Sequence, residues 1–474
     1  KAYSEKSDKD YDPLKDPSID QSLLGHTYQV VMPMTVTKVK DGHTVENTAT
    51  QVTNDKRDKT NTVTNPLKEI NPTKDVTVQV GGDSIDGKSV YLNHTFLYRL
   101  DSSILPPDRA YQTVTDWGGT DQLNTEYDQY LGNWAVYASR DLYRGGQVLA
   151  AKGEKIAGSG FDSSKFGGNL FTVDADGNGK VTADATQAYL DLVSADNEHE
   201  AGWVLYLQCK RIAVADEVPN TWTETINGQP RESNKVVTKT PDMTPSIHLE
   251  KVDTPTLKQE GQERADRDDP KQALKMDADS IGITFIITNT SKTDPATGDG
   301  AWYKASDLNL ADSTIVGDAH VDMDSLAYPD NWDTLVLKPG ESVSVTGTLK
   351  GVREGDTHTD RAIVTGTPLV ECAPSNGDPF NDKTDGGEDT DPEYSTGDVT
   401  EIDGKQLCAD TQTTSNTDDW NGYRAKPLAS TGTAVLGLAG GALAVLLAGG
   451  SLLVFRKRHY AQGSGRHTAV NAGK

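Results

Sequence analysis

Asp174, Asp176 and Asn178 alternate along Asp174-Ala175-Asp176-Gly177-Asn178-Gly179-Lys180, the spacing at which a loop gathers oxygen ligands for calcium. The twelfth position of such a loop needs a bidentate glutamate, and here it is Ala185. Asp-Gly and Asn-Gly steps are also ordinary hairpin-turn chemistry. The expectation is therefore a turn without metal, these three residues being the weak calcium candidate, and no other cofactor. Three cysteines exclude a disulfide-rich scaffold. Cys209 ends the apolar run from Trp203 and reads as a buried thiol, whereas Cys372 and Cys408 bracket an acidic loop and would pair outside the cell. No Gly-x-Ser-x-Gly, His-Glu-x-x-His or phosphate loop is present. The nine histidines are scattered, with His43 and His358 read as turn residues, and no pair of acids stands out for glycoside hydrolysis. The chain reads as non-enzymatic.

A second set of reactive types lies in a repeat. Glu46-Asn47-Thr48-Ala49-Thr50, followed by Asn61-Thr62-Val63-Thr64, matches Pro219-Asn220-Thr221-Trp222-Thr223, followed by Asn234-Lys235-Val236-Val237-Thr238. Thr359-Asp360-Arg361-Ala362-Ile363 is a weaker third copy. Lys74 follows Asn47 by 27 residues and Lys251 follows Asn220 by 31, so a lysine opens each domain after a recurrent junction.

The elements that must position these residues are strands. Short alternating runs separated by Gly, Asn and Asp turns occur at 76–80, 89–92, 134–138, 202–208, 283–288 and 342–349. The fold expected is all-β, tandem Ig-like β-sandwiches, with one short helix over Ala185 to Ser194. The 474 residues, net charge −25 and few aromatics fit a charged, exposed surface protein and exclude nucleic-acid binding, which needs clustered Lys and Arg. Expected boundaries are 1–68, the end of a truncated sandwich domain; 69–242 and 243–370, two complete sandwiches; 371–427, an acidic disordered linker; and 428–474, a terminal signal. With no initiator methionine or signal peptide, Lys1 is expected to be internal to a longer protein.

Asn71-Pro72-Thr73-Lys74-Asp75-Val76-Thr77-Val78, Phe96-Leu97-Tyr98-Arg99-Leu100, Leu105-Pro106-Pro107, Tyr127-Asp128-Gln129-Tyr130-Leu131-Gly132 and Leu207-Gln208-Cys209-Lys210-Arg211-Ile212-Ala213 together resemble the last C-terminal domain of the streptococcal antigen I/II adhesins. Residues 11 to 68 resemble the end of the preceding domain, and 243–370 resembles the Ig-like, CnaA-like modules repeated in bacterial surface proteins. The resemblance implies intramolecular isopeptide bonds. A first-strand lysine, uncharged through burial, attacks a late-strand asparagine amide while an acid protonates the amide oxygen. Carried over residue by residue, the lysine is Lys74, the acceptor Asn220 and the acid Asp121, with Asp116 and Asp128 as alternatives. Asp121-Gln122 stands where the family has two adjacent aspartates, so the second acid is missing here. Asn47 resembles the acceptor of the preceding domain. Lys251, Asp312 and Asp360 hold comparable places in the third domain, with aspartate as acceptor. Adhesion to host glycoproteins, collagen or other bacteria is implied, with no residues assigned.

Leu428-Ala429-Ser430-Thr431-Gly432, the uncharged run 433–455 and the cluster Arg456-Lys457-Arg458 resemble a Gram-positive cell-wall sorting signal. In that family a sortase cleaves between the threonine and glycine and joins the threonine to peptidoglycan. The apolar run spans about 34 Å as a helix, enough for a bilayer core, with the basic cluster on the cytoplasmic side. Sortase, peptidoglycan and, transiently, the membrane are the expected partners, and the wall exterior is the expected location. Spacer domains of a wall-anchored carbohydrate-active enzyme are the alternative.

Overall fold

The computed structural model describes residues 22, 29–34, 36, 43–53, 55–110, 112–254, 267–374, 377–380 and 399–427. One compact unit, residues 1–425, holds the strands of the described chain. Strands account for 49% of residues and helix for 6%, so the all-β expectation holds.

The first sandwich begins at Thr73–Thr77 and pairs two five-stranded sheets. One runs Lys155–Gly158, Asp128–Ala138, Trp203–Arg211, Thr95–Asp101, Thr73–Thr77. The other runs Phe171–Ala175, Lys180–Ala185, Trp117–Gln122, Trp222–Ile226, Gln229–Glu232. All these neighbours are antiparallel, and between the sheets Trp117, Trp203, Trp222, Phe171 and Tyr189 pack edge to face or tilted. The helix is Gln187–Ala195, entered from Thr186, with Tyr189, Leu190 and Val193 buried. Of the runs expected as strands, 134–138, 283–288 and 342–349 fall inside observed strands, and 202–208 does so from Trp203 on. The run 89–92 makes only an isolated bridge from Ser89 to Lys239, and the strand at Val76 stops at Thr77. Gly81 with a left-handed φ of 70° sits in the turn that follows.

The second sandwich packs Ile247–Asp253, Ser280–Asn289, Ser342–Lys350 and His320–Val321 against Leu274–Lys275, Asp418–Tyr423, Thr357–Gly366 and Asn309–Val316. Strict alternation in Thr357–Gly366 turns His358, Asp360, Ala362, Val364 and Gly366 inward. Its neighbour Asp418–Tyr423 comes from the stretch expected to be linker, and Trp420 from that strand is fully buried in the core. Thr400–Ile402, Lys405–Ala409 and Leu369–Glu371 form a further small sheet, tied by a Cys372–Cys408 disulfide. The segments 371–374, 377–380 and 399–427 are therefore not a free linker. The acidic Asp, Gly and Thr residues of 381–398 dominate the composition, while the anchors Phe380, Leu407 and Trp420 are too sparse to show a period.

Trp203–Arg211 is buried on both faces, which an antiparallel strand at a sandwich surface is not. The cover is the segment 377–380. Phe380 is buried with Leu97, Ala135, Val204 and Tyr206, its carbonyl accepts from Lys155 Nζ at 2.5 Å, and the Gly377 carbonyl accepts from Gln208 Nε2 at 3.1 Å. A second tie joins the two sandwiches: Asp299 accepts from Tyr91 of the first at 3.0 Å and pairs with Lys405 of the second. Phe380→Ala should remove about 1.5–3 kcal/mol of burial from the strap. Limited proteolysis would then cut near 377–380 faster than in the parent, with the far-ultraviolet spectrum unchanged.

The N-terminal described residues form two hairpins, Thr44–Asn47 with Val63–Pro66 and Thr50–Thr53 with Lys56–Lys59. Asn47 lies exposed on the first.

Candidate functional site: two buried lysine–carboxylate centres

Lys74 lies on the edge strand of the first sheet, and period-two alternation turns it into the sandwich with Val76. Its ammonium pairs with Asp121 of the facing sheet; the two side chains are 0% and 1% exposed. Alternation also separates Asp121 from Gln122. Asp121 faces inward, while Gln122 is exposed and donates to the carbonyl of Asn178 at 3.0 Å. The single acid of that dipeptide is thus the one that can reach the lysine.

The other two acids are engaged elsewhere. Asp128 accepts from Arg211 Nε and from the Tyr98 hydroxyl, both at 2.8 Å, and fully buried Arg211 is completed by the hydroxyls of Thr238 and Thr240. Asp116 accepts from the backbone of Gly228 at 3.0 Å in an exposed turn. Burial lowers the pKa of Lys74, opposed by the charge of Asp121, and Tyr98 presents its ring 4.4 Å from the ammonium. Burial also pushes the Cys209 thiol well up, which leaves it unreactive.

Asn220 ends the strand Ala215–Asn220, two residues before Trp222. Trp222 is the register partner of Asp121 and donates to the Thr73 carbonyl at 3.0 Å, so the Asn220, Asp121 and Lys74 strands meet around it. Asn234 closes the junction, exchanging two 2.8 Å bonds with the Lys74 backbone. Asn220 is 6% exposed and neither atom of its carboxamide is hydrogen-bonded. A buried amide without partners costs about 1–3 kcal/mol and calls for a reason.

The second centre is larger than its sequence suggested. Lys251, on Ile247–Asp253, pairs with Asp312 and lies 2.6 Å from Asp360, with all three side chains 2% exposed or less. His358, read from sequence as a turn residue, is instead buried on the strand carrying Asp360, its Nε2 3.3 Å from Asp360 Oδ2. The polar run Thr357-His358-Thr359-Asp360-Arg361 hid the strand; the alternation His358, Asp360, Ala362, Val364 was the available signal.

Asp418 was also missed. It accepts from the Lys251 backbone N–H, and burial together with a hydrogen bond to Asp268 pushes its carboxyl up to about 8. An unfolded aspartate titrates near about 4. The folded state therefore keeps a proton that the unfolded chain loses, so this group's contribution is full below about pH 4 and is lost as pH rises through about 8. Asp418→Asn keeps the acceptor oxygen, and the melting temperature should rise at pH 8 to 9 and stay unchanged at pH 4.

The calcium candidate is a hairpin turn: Asp176 Oδ1 accepts from the backbones of Asn178 and Lys180, and Asp174 belongs to the strand leading into it. Among the described residues no group of three or more His, Cys, Asp or Glu could hold a metal, and no helix is long and apolar enough to cross a membrane. Leu428, Ala429, Ser430, Thr431 and Gly432, with the apolar run 433–455, lie outside the described residues.

Residues 71–241 match the cell surface antigen C-terminus family, and residues 1–67 match the cell surface antigen I/II C2 terminal domain. The chain belongs to the antigen I/II family. Its matched region, 1–241, contains the first centre, from Lys74 to Asn220; the second centre lies beyond either match. The chain is 35% identical over 233 residues to an aggregation substance of Enterococcus faecalis, which covers 48% of this chain and 17% of that protein. Among solved structures it is similar to the C-terminal domain of the Streptococcus pyogenes antigen I/II-family protein AspA, at 27% identity, 42% of this chain, 54% of that chain and TM-score 0.36. The C-terminal domain of the Streptococcus agalactiae antigen I/II polypeptide BspA follows at 23% identity, 42% and 58% coverage and the same score. The chain thus spans about a sixth of the length of the curated relative and somewhat more than half of each structural one. As a member of a surface-antigen family it is part of a cell-surface protein.

Proposed function

We propose that this chain is the wall-proximal stalk of a Gram-positive surface adhesin, cross-linked within its sandwiches and joined to peptidoglycan by sortase at Thr431. The observation that carries the cross-link is the fully buried Lys74–Asp121 pair together with the partnerless carboxamide of Asn220, two residues before the tryptophan that bonds the Lys74 strand and pairs with Asp121 in register. Asp121 takes a proton from the Lys74 ammonium and delivers it to the Asn220 amide oxygen. Lys74 Nζ attacks the amide carbon, the C–Nδ2 bond breaks, and Nδ2 leaves as ammonia with one of the two remaining amine protons; the other stays as the new amide N–H, and the proton on the oxygen returns to Asp121. Nothing is oxidised or reduced, and burial and positioning drive a reaction that runs once. The bond fastens the first strand, Thr73–Thr77, to the end of Ala215–Asn220, and restricts the unfolded chain as a disulfide does.

In this reading the sandwiches resist shear and proteolysis while a distal region binds host glycoprotein, matrix or another cell. The antigen I/II family membership and the similarity to an aggregation substance support that role. Residues 428–432 supply the sortase substrate, 433–455 the transient span and the following basic residues its inner stop. Intact mass of the denatured chain tests the bond. The expected value is one ammonia below that of the sequence, and Lys74→Arg restores the full mass. An undiminished mass in the parent would remove the cross-link.

A further inference from the structure

Lys251 meets two carboxylates, and they are not equivalent. Asp360 stands between two nitrogen groups, Lys251 Nζ at 2.6 Å and His358 Nε2 at 3.3 Å. Among the described residues, Asp312 pairs with no cation but Lys251. Two buried carboxyls that meet one ammonium do not both stay ionised, and a proton rests on the one with less cationic support. That one is Asp312: burial and the neighbouring Asp360 push it up to about 6, while His358 and Lys251 hold Asp360 below its ordinary value against its burial. The other acid of this layer, Asp418, is bonded to the backbone of Lys251, not to its amine. A carboxylate anion is a poor electrophile and a good base; a neutral carboxyl is the reverse.

We propose that Lys251 condenses with Asp312, not with Asp360, and that His358 is the positioning residue that holds Asp360 as the proton acceptor. This reverses the roles expected from the repeat, and it rests on reading the buried lysines as cross-linking nucleophiles. The Lys251 ammonium gives one proton to Asp360. The free amine attacks Asp312 Cγ, and the new C–N bond forms as the C–OH bond breaks. The hydroxyl leaves as water with a second amine proton passed through Asp360. One amide hydrogen remains, one proton stays on the Asp360–His358 pair, and no further reactant is needed. Lys251, Asp312 and Asp360 are each 2% exposed or less, which excludes the bulk water that would reverse the step.

Intact mass and tryptic mapping of the full chain decide this. Lys251 is expected in a branched peptide with 305–350, which holds Asp312, and the chain loses one water in addition to the ammonia from Lys74. A branch to 354–361, which holds Asp360, overturns the assignment. Loss of ammonia without water also overturns it while leaving the first centre standing, and a full mass overturns both. In Asp312→Asn the same branch is expected to form with loss of ammonia in place of water; a branch moved to Asp360 would sink the proposal. His358→Ala is expected to accumulate unlinked chain, and refolding it from urea with imidazole is expected to restore the branch. The folded content of each sample is read by circular dichroism, and a branch yield equal to the parent's, or one that imidazole does not raise in folded protein, removes His358 from the step.

Discussion

Asp121→Ala should leave the chain without its Lys74 cross-link and about 3–5 kcal/mol less stable than the loss of the bond alone explains. The physical reason is the burial of both partners: Lys74 is 0% exposed and, among the described residues, no other carboxylate pairs with it. Removing the acid strands an ammonium in the sandwich, and Tyr98, whose ring lies 4.4 Å away, offsets only a fraction of that cost. The comparison that isolates this term is with Lys74→Met, which is equally unlinked but leaves the carboxylate behind, and with Lys74→Met combined with Asp121→Leu. The double variant should recover most of the stability, since a well-packed apolar pair replaces a buried ion pair at little cost. Urea unfolding of the three variants, each checked by intact mass, gives the coupling directly. Equal midpoints for Asp121→Ala and the double variant would mean that the lysine finds water on losing its partner, contrary to the burial described.

Trp420→Ala should destabilise the second sandwich by about 3–5 kcal/mol. Trp420 is fully buried, packs in one cluster with Leu249, Phe285, Val345 and Val364, and its ring lies 6.4 Å from that of His358. The residue sits beyond the acidic stretch, on the strand that pairs with Thr357–Gly366. If 399–427 were a passive tether, the substitution would leave the unfolding midpoint unchanged. The expected result is an earlier transition, with new protease cuts between 267 and 374 while the first sandwich stays resistant.

Much of the fold was legible because strand signals are local. Ile283 to Thr288 and Ser342 to Leu349 alternate or run apolar between turn residues, and both are strands. The composition of 371–427 misled because an average over many acidic residues hides a few anchors. Phe380 and Trp420 each bury completely, and each does so against partners far away in sequence. His358 was misread for a related reason: a strand that points a histidine and an aspartate inward lacks the apolar period by which buried strands are recognised.

The sequence by itself determined the reactive types and their order: a lysine opening each sandwich, acids in the middle, an asparagine or aspartate late, and the pentapeptide Leu428-Ala429-Ser430-Thr431-Gly432 before an apolar run. It also held, through alternation, the choice of Asp121 over Gln122. What only the tertiary structure decided is which acid meets which amine. Asp121 and Asp312 lie 47 and 61 residues from their lysines and reach them across the space between two sheets. Asp128 is diverted by Arg211, and Asp360 is claimed by His358. Those outcomes depend on register and on desolvation, and desolvation exists only once the sheets have closed on one another.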